Sequence, residues 1–160
     1  MKKTALTAGT FDPITTGHTD IIKRASDIFD EVIVAVYTNP TKKTALDEET
    51  RFRAVSAAVK NIPNVRVVKG EGLIAEFARK CGACAIVKGV RGISDYAYEE
   101  DMARANREVS GIDTFLLIAS PEVLHVSSTL VRELARCGKQ YDKYIPEGAK
   151  SIINESLGKK

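Results

Sequence analysis

Thr4-Ala5-Leu6-Thr7-Ala8-Gly9-Thr10-Phe11-Asp12-Pro13-Ile14-Thr15-Thr16-Gly17-His18 opens as a short apolar run, breaks at a glycine and crosses a polar loop. Beyond it, Ile21, Ile22, Ala25, Ile28 and Phe29 recur on one helical face. A continuous apolar run giving way to a 3.6-residue period reads as strand, turn and amphipathic helix. The same alternation continues along the chain. Val32 to Tyr37, Val65 to Val68, Ala85 to Lys88 and Thr114 to Ala119 are rich in Val, Ile and Leu and read as four further strands. Between them, helical faces are expected at Phe52, Val55, Val59 and Ile62, at Leu73, Ile74, Phe77 and Ala78, and at Tyr98, Met102, Ala105 and Val109.

Strands this apolar, separated by helix-length crossovers, imply a parallel sheet covered on both faces with right-handed connections. The expected fold is α/β: a doubly wound, Rossmann-like, five-stranded parallel sheet in the order 3-2-1-4-5. After the fifth strand, Leu130, Val131 and Leu134, then Ala149, Ile152, Ile153 and Leu157, predict a helical C-terminus. Pro40, Pro63, Gly82 and Pro121 punctuate element ends singly, and no repeat or linker divides the chain. Its 160 residues are read as one domain, 1–160.

Composition narrows the function. Lys and Arg number 24 against 21 Asp and Glu, a net charge of +3 spread evenly along the chain, which disfavours a nucleic-acid groove but leaves small anions as partners. The apolar stretches fall far short of the ~20 residues of a membrane helix. Lys2 and Lys3 precede an apolar run that Gly9, Thr10 and Asp12 interrupt, so no export signal is read and a cytoplasmic protein is expected. Three cysteines fit free thiols. Cys81-Gly82-Ala83-Cys84 closes a helix where a reactive pair would open one, so these are read as small buried residues leading into a strand. Cys137, His18 and His125 lie too far apart in sequence for a zinc set, and no protein metal site is expected.

In a sheet of this order, ligands bind beyond the carboxyl ends of the strands, where strand order reverses. The loops after strands one, four and five meet there. The first carries a glycine turn, a helix start whose N–H groups favour negative charge, and His18 on the first helical turn, the parts of a polyphosphate cradle. Neither G-x-G-x-x-G nor a G-K-S/T P-loop is present, which disfavours hydride transfer. Strand four runs into Lys88-Gly89-Val90-Arg91-Gly92, two cations able to bracket an anion. Lys42 and Lys43 follow strand two, and Lys43 is read as a solvated surface charge. Val126-Ser127-Ser128-Thr129 places three hydroxyls at a helix opening, more than one cap requires, so a second anion contact is expected there. Asp95, Tyr98 and Glu99 open the helix after strand four, where acidic residues complement the dipole.

Thr15-Thr16-Gly17-His18 and Ser127-Ser128-Thr129-Leu130-Val131-Arg132, in that order, resemble the T/H-x-G-H and S-S-T-x-x-R motifs of the nucleotidylyltransferases. With Gly9-Thr10-Phe11-Asp12-Pro13-Ile14 and Gly89-Val90-Arg91 through Tyr98-Glu99, nearly the whole chain is similar to the bacterial phosphopantetheine adenylyltransferases. The resemblance implies transfer of adenylyl from ATP to 4′-phosphopantetheine, giving dephospho-coenzyme A and pyrophosphate, the penultimate step of coenzyme A biosynthesis, with Mg²⁺ assisting. It implies that His18, Thr10, Lys42 and Arg91 are catalytic. Thr10, Phe11, His18, Gly89, Val90, Arg91, Glu99 and Val123, Leu124, His125, Val126, Ser127, Ser128 and Thr129 would line the ATP site. Thr10, Lys42, Leu73, Ile74 and Lys88 would hold the acceptor. A homohexamer and feedback by coenzyme A in the same site are also implied. The family usually has arginine where this chain has Lys88, which keeps the charge and loses the bidentate fork. Sister enzymes with nicotinamide mononucleotide or glycerol phosphate as acceptor, and a non-catalytic nucleotide sensor, are the competing readings.

Overall fold

A computed structural model describes residues 2–38 and 43–158. Five strands form one parallel sheet, β1 (Thr4–Gly9), β2 (Glu31–Tyr37), β3 (Val65–Gly70), β4 (Ala85–Val90) and β5 (Asp113–Ile118), in the order β3-β2-β1-β4-β5. Each strand lies within two residues of the boundaries read from the sequence. Six helices connect and follow them: α1 (Thr16–Ser26), α2 (Glu48–Val59), α3 (Ile74–Lys80), α4 (Ile93–Ser110), α5 (Ser128–Arg136) and α6 (Lys150–Leu157).

The two faces have separate cores. Ile21, Ile22 and Ala25 of α1 and Ala54, Val55 and Val59 of α2 pack with Val131, Tyr141, Ile145 and Ile153 over Val32, Val34 and Val36. On the other face Phe77 and Ala78 of α3 cover Leu6, Ala8, Ile33, Ala35 and Ile86, and α4 lies beside α3. Burying each Val, Leu, Ile or Phe among them stabilises the fold by roughly 1.5–3 kcal/mol. No helix among the described residues is long and apolar enough to cross a membrane.

Sheet register positions the site. β1 pairs with β2 along its whole length, from Thr4 opposite Glu31 to Gly9 opposite Val36. It pairs with β4 only at Ala5–Ala85 and Leu6–Ile86. Beyond those pairs the central strands part, and a crevice opens at their carboxyl ends between Ala8 and Lys88. Gly89 borders it by necessity, because a Cβ there would stand 2.6 Å from Cγ1 of Ile21 on α1.

Several sequence expectations need correcting. α1 ends at Ser26, so Ile28 falls in a turn and is 62% exposed. The face at Tyr98, Met102, Ala105 and Val109 is not a core face: Tyr98 and Val109 are exposed, and the one buried residue of α4 is Asn106. Helical spacing marks a sticky stripe but does not say what covers it. Likewise β5 is a sheet edge with Phe115 and Ile118 exposed, so cover on both faces fails there. Cys81 does close α3, followed by Gly82 at positive φ, but Cys84 is exposed and Ala83 is the buried member of that group.

Candidate active site

The crevice holds a cavity of about 470 Å³ walled by the loops after β1, β4 and β5, within the range usual for small-molecule sites. Gly9, Phe11 and His18 come from the end of β1, the first loop and α1, Lys88, Gly89, Arg91 and Glu99 from β4, the turn after it and α4, and Val126, Ser127, Ser128 and Thr129 from the approach to α5 and its first residues. Of the other residues named from the sequence, Thr10 sits between two wall residues without lining the cavity, and Val90, Val123, Leu124 and His125 do not line it either. Leu73 and Ile74 stand at the start of α3 and do not line the cavity; Leu73 is 59% exposed. Lys42 lies outside the described residues.

His18 is held from one side. Its Nδ1 lies 3.0 Å from the backbone nitrogen of Thr15, the N-cap of α1, and 2.9 Å from the Thr15 hydroxyl. A backbone N–H can only donate, so Nδ1 must accept, and the ring proton sits on Nε2. Burial, then the charges of Arg91 and Lys88, push the imidazole down to about 4. His18 is therefore a neutral ring with one N–H to give. Phe11 packs edge-on against it, ring centroids 5.1 Å apart.

The cations are anchored as well. Lys88 Nζ stands 3.4 Å from Glu99 Oε1 and 3.4 Å from the Ala8 carbonyl, tying β4 to α4 and to the end of β1. Arg91 donates from Nε to Asp95 at 2.8 Å and from Nη1 to the Val126 carbonyl at 3.2 Å, which joins the second loop to the third. Glu99 Oε2 is buried without a hydrogen-bond partner, a carboxylate oxygen on the wall that a ligand donor or a cation would satisfy.

The hydroxyls at α5 are less available than the sequence suggested. Ser127 caps the helix by accepting from the Leu130 N–H, Ser128 donates to the Pro13 carbonyl at 2.7 Å, and Thr129 accepts from Arg132. Ser128 thus docks α5 onto the first loop, so part of the hydroxyl excess is structural.

Three supporting residues escaped sequence reading. Asp20 on α1 takes the Ser120 N–H and hydroxyl, at 3.1 and 2.7 Å, and these bonds hold its carboxyl below the usual range against the opposing effect of burial. That fixes the start of the segment leading to Val126. Asp12 accepts from the N–H groups of Ala45 and Leu46, at 2.8 and 2.9 Å, joining the first loop to the chain after Lys43. Arg51, 1% exposed, donates to the carbonyls of Thr10 and Tyr37. The available signal for Arg51 was a cation in the first turn of a helix, where the dipole disfavours it.

A family model described as cytidylyltransferase-like matches residues 6–134. The chain is 44% identical over 156 residues to a phosphopantetheine adenylyltransferase of Symbiobacterium thermophilum, covering 97% of this chain and 96% of the relative. Among solved structures it resembles a putative nicotinate-nucleotide adenylyltransferase from Vibrio parahaemolyticus, with a TM-score of 0.72 at 22% identity over 98% of this chain and 95% of the other. At that identity the second likeness concerns the fold.

Proposed function

The chain belongs to the cytidylyltransferase-like family, and within it to the phosphopantetheine adenylyltransferases; from that premise we propose that its cavity joins ATP to 4′-phosphopantetheine. An oxygen of the acceptor phosphate bonds to the α-phosphorus, the bond from that phosphorus to the bridging oxygen breaks, and pyrophosphate leaves with the electron pair. Dephospho-coenzyme A is the product.

One observation carries this reading: a neutral His18 whose free Nε2–H borders the same cavity as Lys88 and Arg91. The acceptor phosphate is already ionised at neutral pH, so the reaction needs no side-chain nucleophile and no strong base. What it needs is alignment and relief of repulsion between anions. Lys88 and Arg91 supply positive charge, and His18 offers a hydrogen bond to the α-phosphate oxygen as charge grows in the transition state. Phe11 and the α5 opening would hold the nucleotide, and the family likeness assigns Lys42, together with Thr10, Leu73 and Ile74, the last three not among the lining residues, to the two substrates as well.

Magnesium fits this site as a guest of the phosphates. No group of three or more candidate ligands gathers among the described residues, and Mg²⁺ characteristically keeps its waters and takes one or two carboxylates with substrate phosphates. Glu99, whose Oε2 has no hydrogen-bond partner, is the carboxylate we propose would hold it. The bound ion would neutralise phosphate charge.

Coenzyme A shares its adenylate and pantetheine portions with the reactants, and we read it as a feedback ligand of the same cavity. The exposed Ile93, Tyr96, Phe115 and Ile118 around α4 and β5 support assembly into a homohexamer. Free cysteines fit a cytoplasmic enzyme.

The test is incubation of the purified protein with ATP, Mg²⁺ and 4′-phosphopantetheine, followed by mass detection. Dephospho-coenzyme A is expected. Pyrophosphate release only with nicotinamide mononucleotide or glycerol phosphate would reassign the acceptor, and nucleotide binding without turnover on any of them would reduce the protein to a sensor.

A further inference from the structure

Arg51 is the largest fully buried side chain among the described residues. It lies in the first turn of α2, where the helix dipole opposes a positive charge, and carries no ion pair among the described residues. Asp47, the exposed N-cap, feels its charge only weakly, and Glu48 reaches it only through the Thr38 hydroxyl. None of residues 39–42 is acidic. Nη1 donates to the Thr10 and Tyr37 carbonyls at 2.7 and 2.8 Å, Nη2 donates to Thr38 Oγ1 at 2.9 Å, and Nε is left without an acceptor. Burying a charge costs several kcal/mol even after relaxation. An under-paired guanidinium at this depth therefore calls for a reason.

The Thr10 carbonyl supplies one. In a trans peptide the C=O of one residue and the N–H of the next point in opposite directions. Drawing the Thr10 oxygen toward Arg51 turns the Phe11 N–H away from it, and that N–H meets no acceptor among the described residues. Phe11 holds φ at 51°, a left-handed conformation that costs a bulky residue of order 1–3 kcal/mol and persists only when its surroundings impose it. Arg51 is the group that grips this peptide, and its grip on Tyr37 ties the ends of β1 and β2 together.

We propose that Arg51 is a positioning residue for the transfer step, holding the Thr10–Phe11 peptide so that the Phe11 N–H is presented to the reacting phosphates, with the bound polyanion providing its missing counter-charge. This rests on the functional reading above. Arg51 touches no substrate; it acts through the backbone of the first loop.

The test compares wild type with Arg51→Lys and Arg51→Gln, measuring kcat, both KM values and the thermal shift induced by inorganic pyrophosphate with Mg²⁺. Lysine keeps the charge but has a single nitrogen in place of the planar fork that spans these acceptors, so Arg51→Lys should lower kcat more than tenfold while KM for 4′-phosphopantetheine stays within about threefold. Arg51→Gln should also lose at least half of the pyrophosphate-induced shift. A purely structural arginine would lower the melting temperature and leave kcat per folded molecule unchanged. If both variants fail to fold, Thr38→Val, at an exposed position, removes one anchor and should lower kcat more than threefold. A kcat within threefold of wild type in the folded variant overturns the proposal, as does an undiminished pyrophosphate shift in Arg51→Gln. Wild-type protein that forms no dephospho-coenzyme A would instead sink the functional reading. The pyrophosphate arm would then decide the role of Arg51, through the same Gln variant or, where that does not fold, Thr38→Val.

Discussion

The backbone N–H of Thr15 meets Nδ1 of His18 at 3.0 Å, and that bond settles which ring nitrogen is left to face the cavity. A residue three positions earlier in the chain thereby makes the imidazole a neutral donor, and Arg91 and Lys88 reinforce its neutrality by disfavouring a further positive charge.

This has a pH signature. The ring titrates near 6.5 when unfolded and at about 4 in the fold, because burial and then Arg91 and Lys88 oppose its charging. Above 6.5 both states are neutral, so His18 adds no pH dependence there. As pH falls from 6.5 toward 4 the unfolded state binds the extra proton and stability drops. Urea midpoints measured across that window should decline less steeply in His18→Asn than in wild type. Identical slopes would mean that the imidazole takes up its proton at the same pH in the fold as in the unfolded chain.

Gly89→Ala should destabilise the protein by about 1–3 kcal/mol, the cost of overpacking, because its Cβ would stand 2.6 Å from Ile21 Cγ1. Adding Ile21→Ala makes room, so the double variant should lose less stability than the sum of the two single ones. Chemical denaturation of all three variants checks the coupling.

Lys88→Met should raise KM for 4′-phosphopantetheine at least tenfold with a smaller change for ATP. Lys88→Arg should retain acceptor binding, since charge is kept and the fork can engage the phosphate in bidentate fashion. Steady-state kinetics with each substrate varied in turn separates the two half-sites. A change confined to the ATP constant would place Lys88 in the other one.

Glu99→Gln removes the carboxylate that faces Lys88 and offers an unpartnered oxygen to the cavity. It should raise the Mg²⁺ concentration needed for half-maximal rate severalfold. An unaltered magnesium titration would assign that oxygen to an organic donor on the ligand.

The five strands were legible as short runs of Val, Ile and Leu separated by helix-length stretches, most clearly Val32 to Val36, which is buried on both faces and apolar throughout. The strand order is the one usual for a doubly wound α/β sheet. The three loops of the cavity followed from that order. Helix ends and faces were less legible: Ile28 continues the α1 spacing but falls beyond its end, and the apolar stripe of α4 faces outward. Local periodicity records which residues avoid water without naming their partners. At the site, His18, Lys88 and Arg91 were visible as chemistry-bearing residues in loops after strands. The contacts that brace the surrounding loops were not, because Asp20 with Ser120, Asp12 with Leu46 and Arg51 with Thr10 are joined across 100, 34 and 41 residues of chain. Only the fold makes those pairs neighbours.

The most direct measurement compares kcat for dephospho-coenzyme A formation by wild type and His18→Ala at saturating ATP and Mg²⁺. Loss of one transition-state donor should cost about 10²- to 10³-fold, ~3–4 kcal/mol, with KM for ATP changed far less. Turnover by His18→Ala within a few fold of wild type would contradict the account, because the cavity would then be transferring adenylate without the hydrogen bond around which it is built.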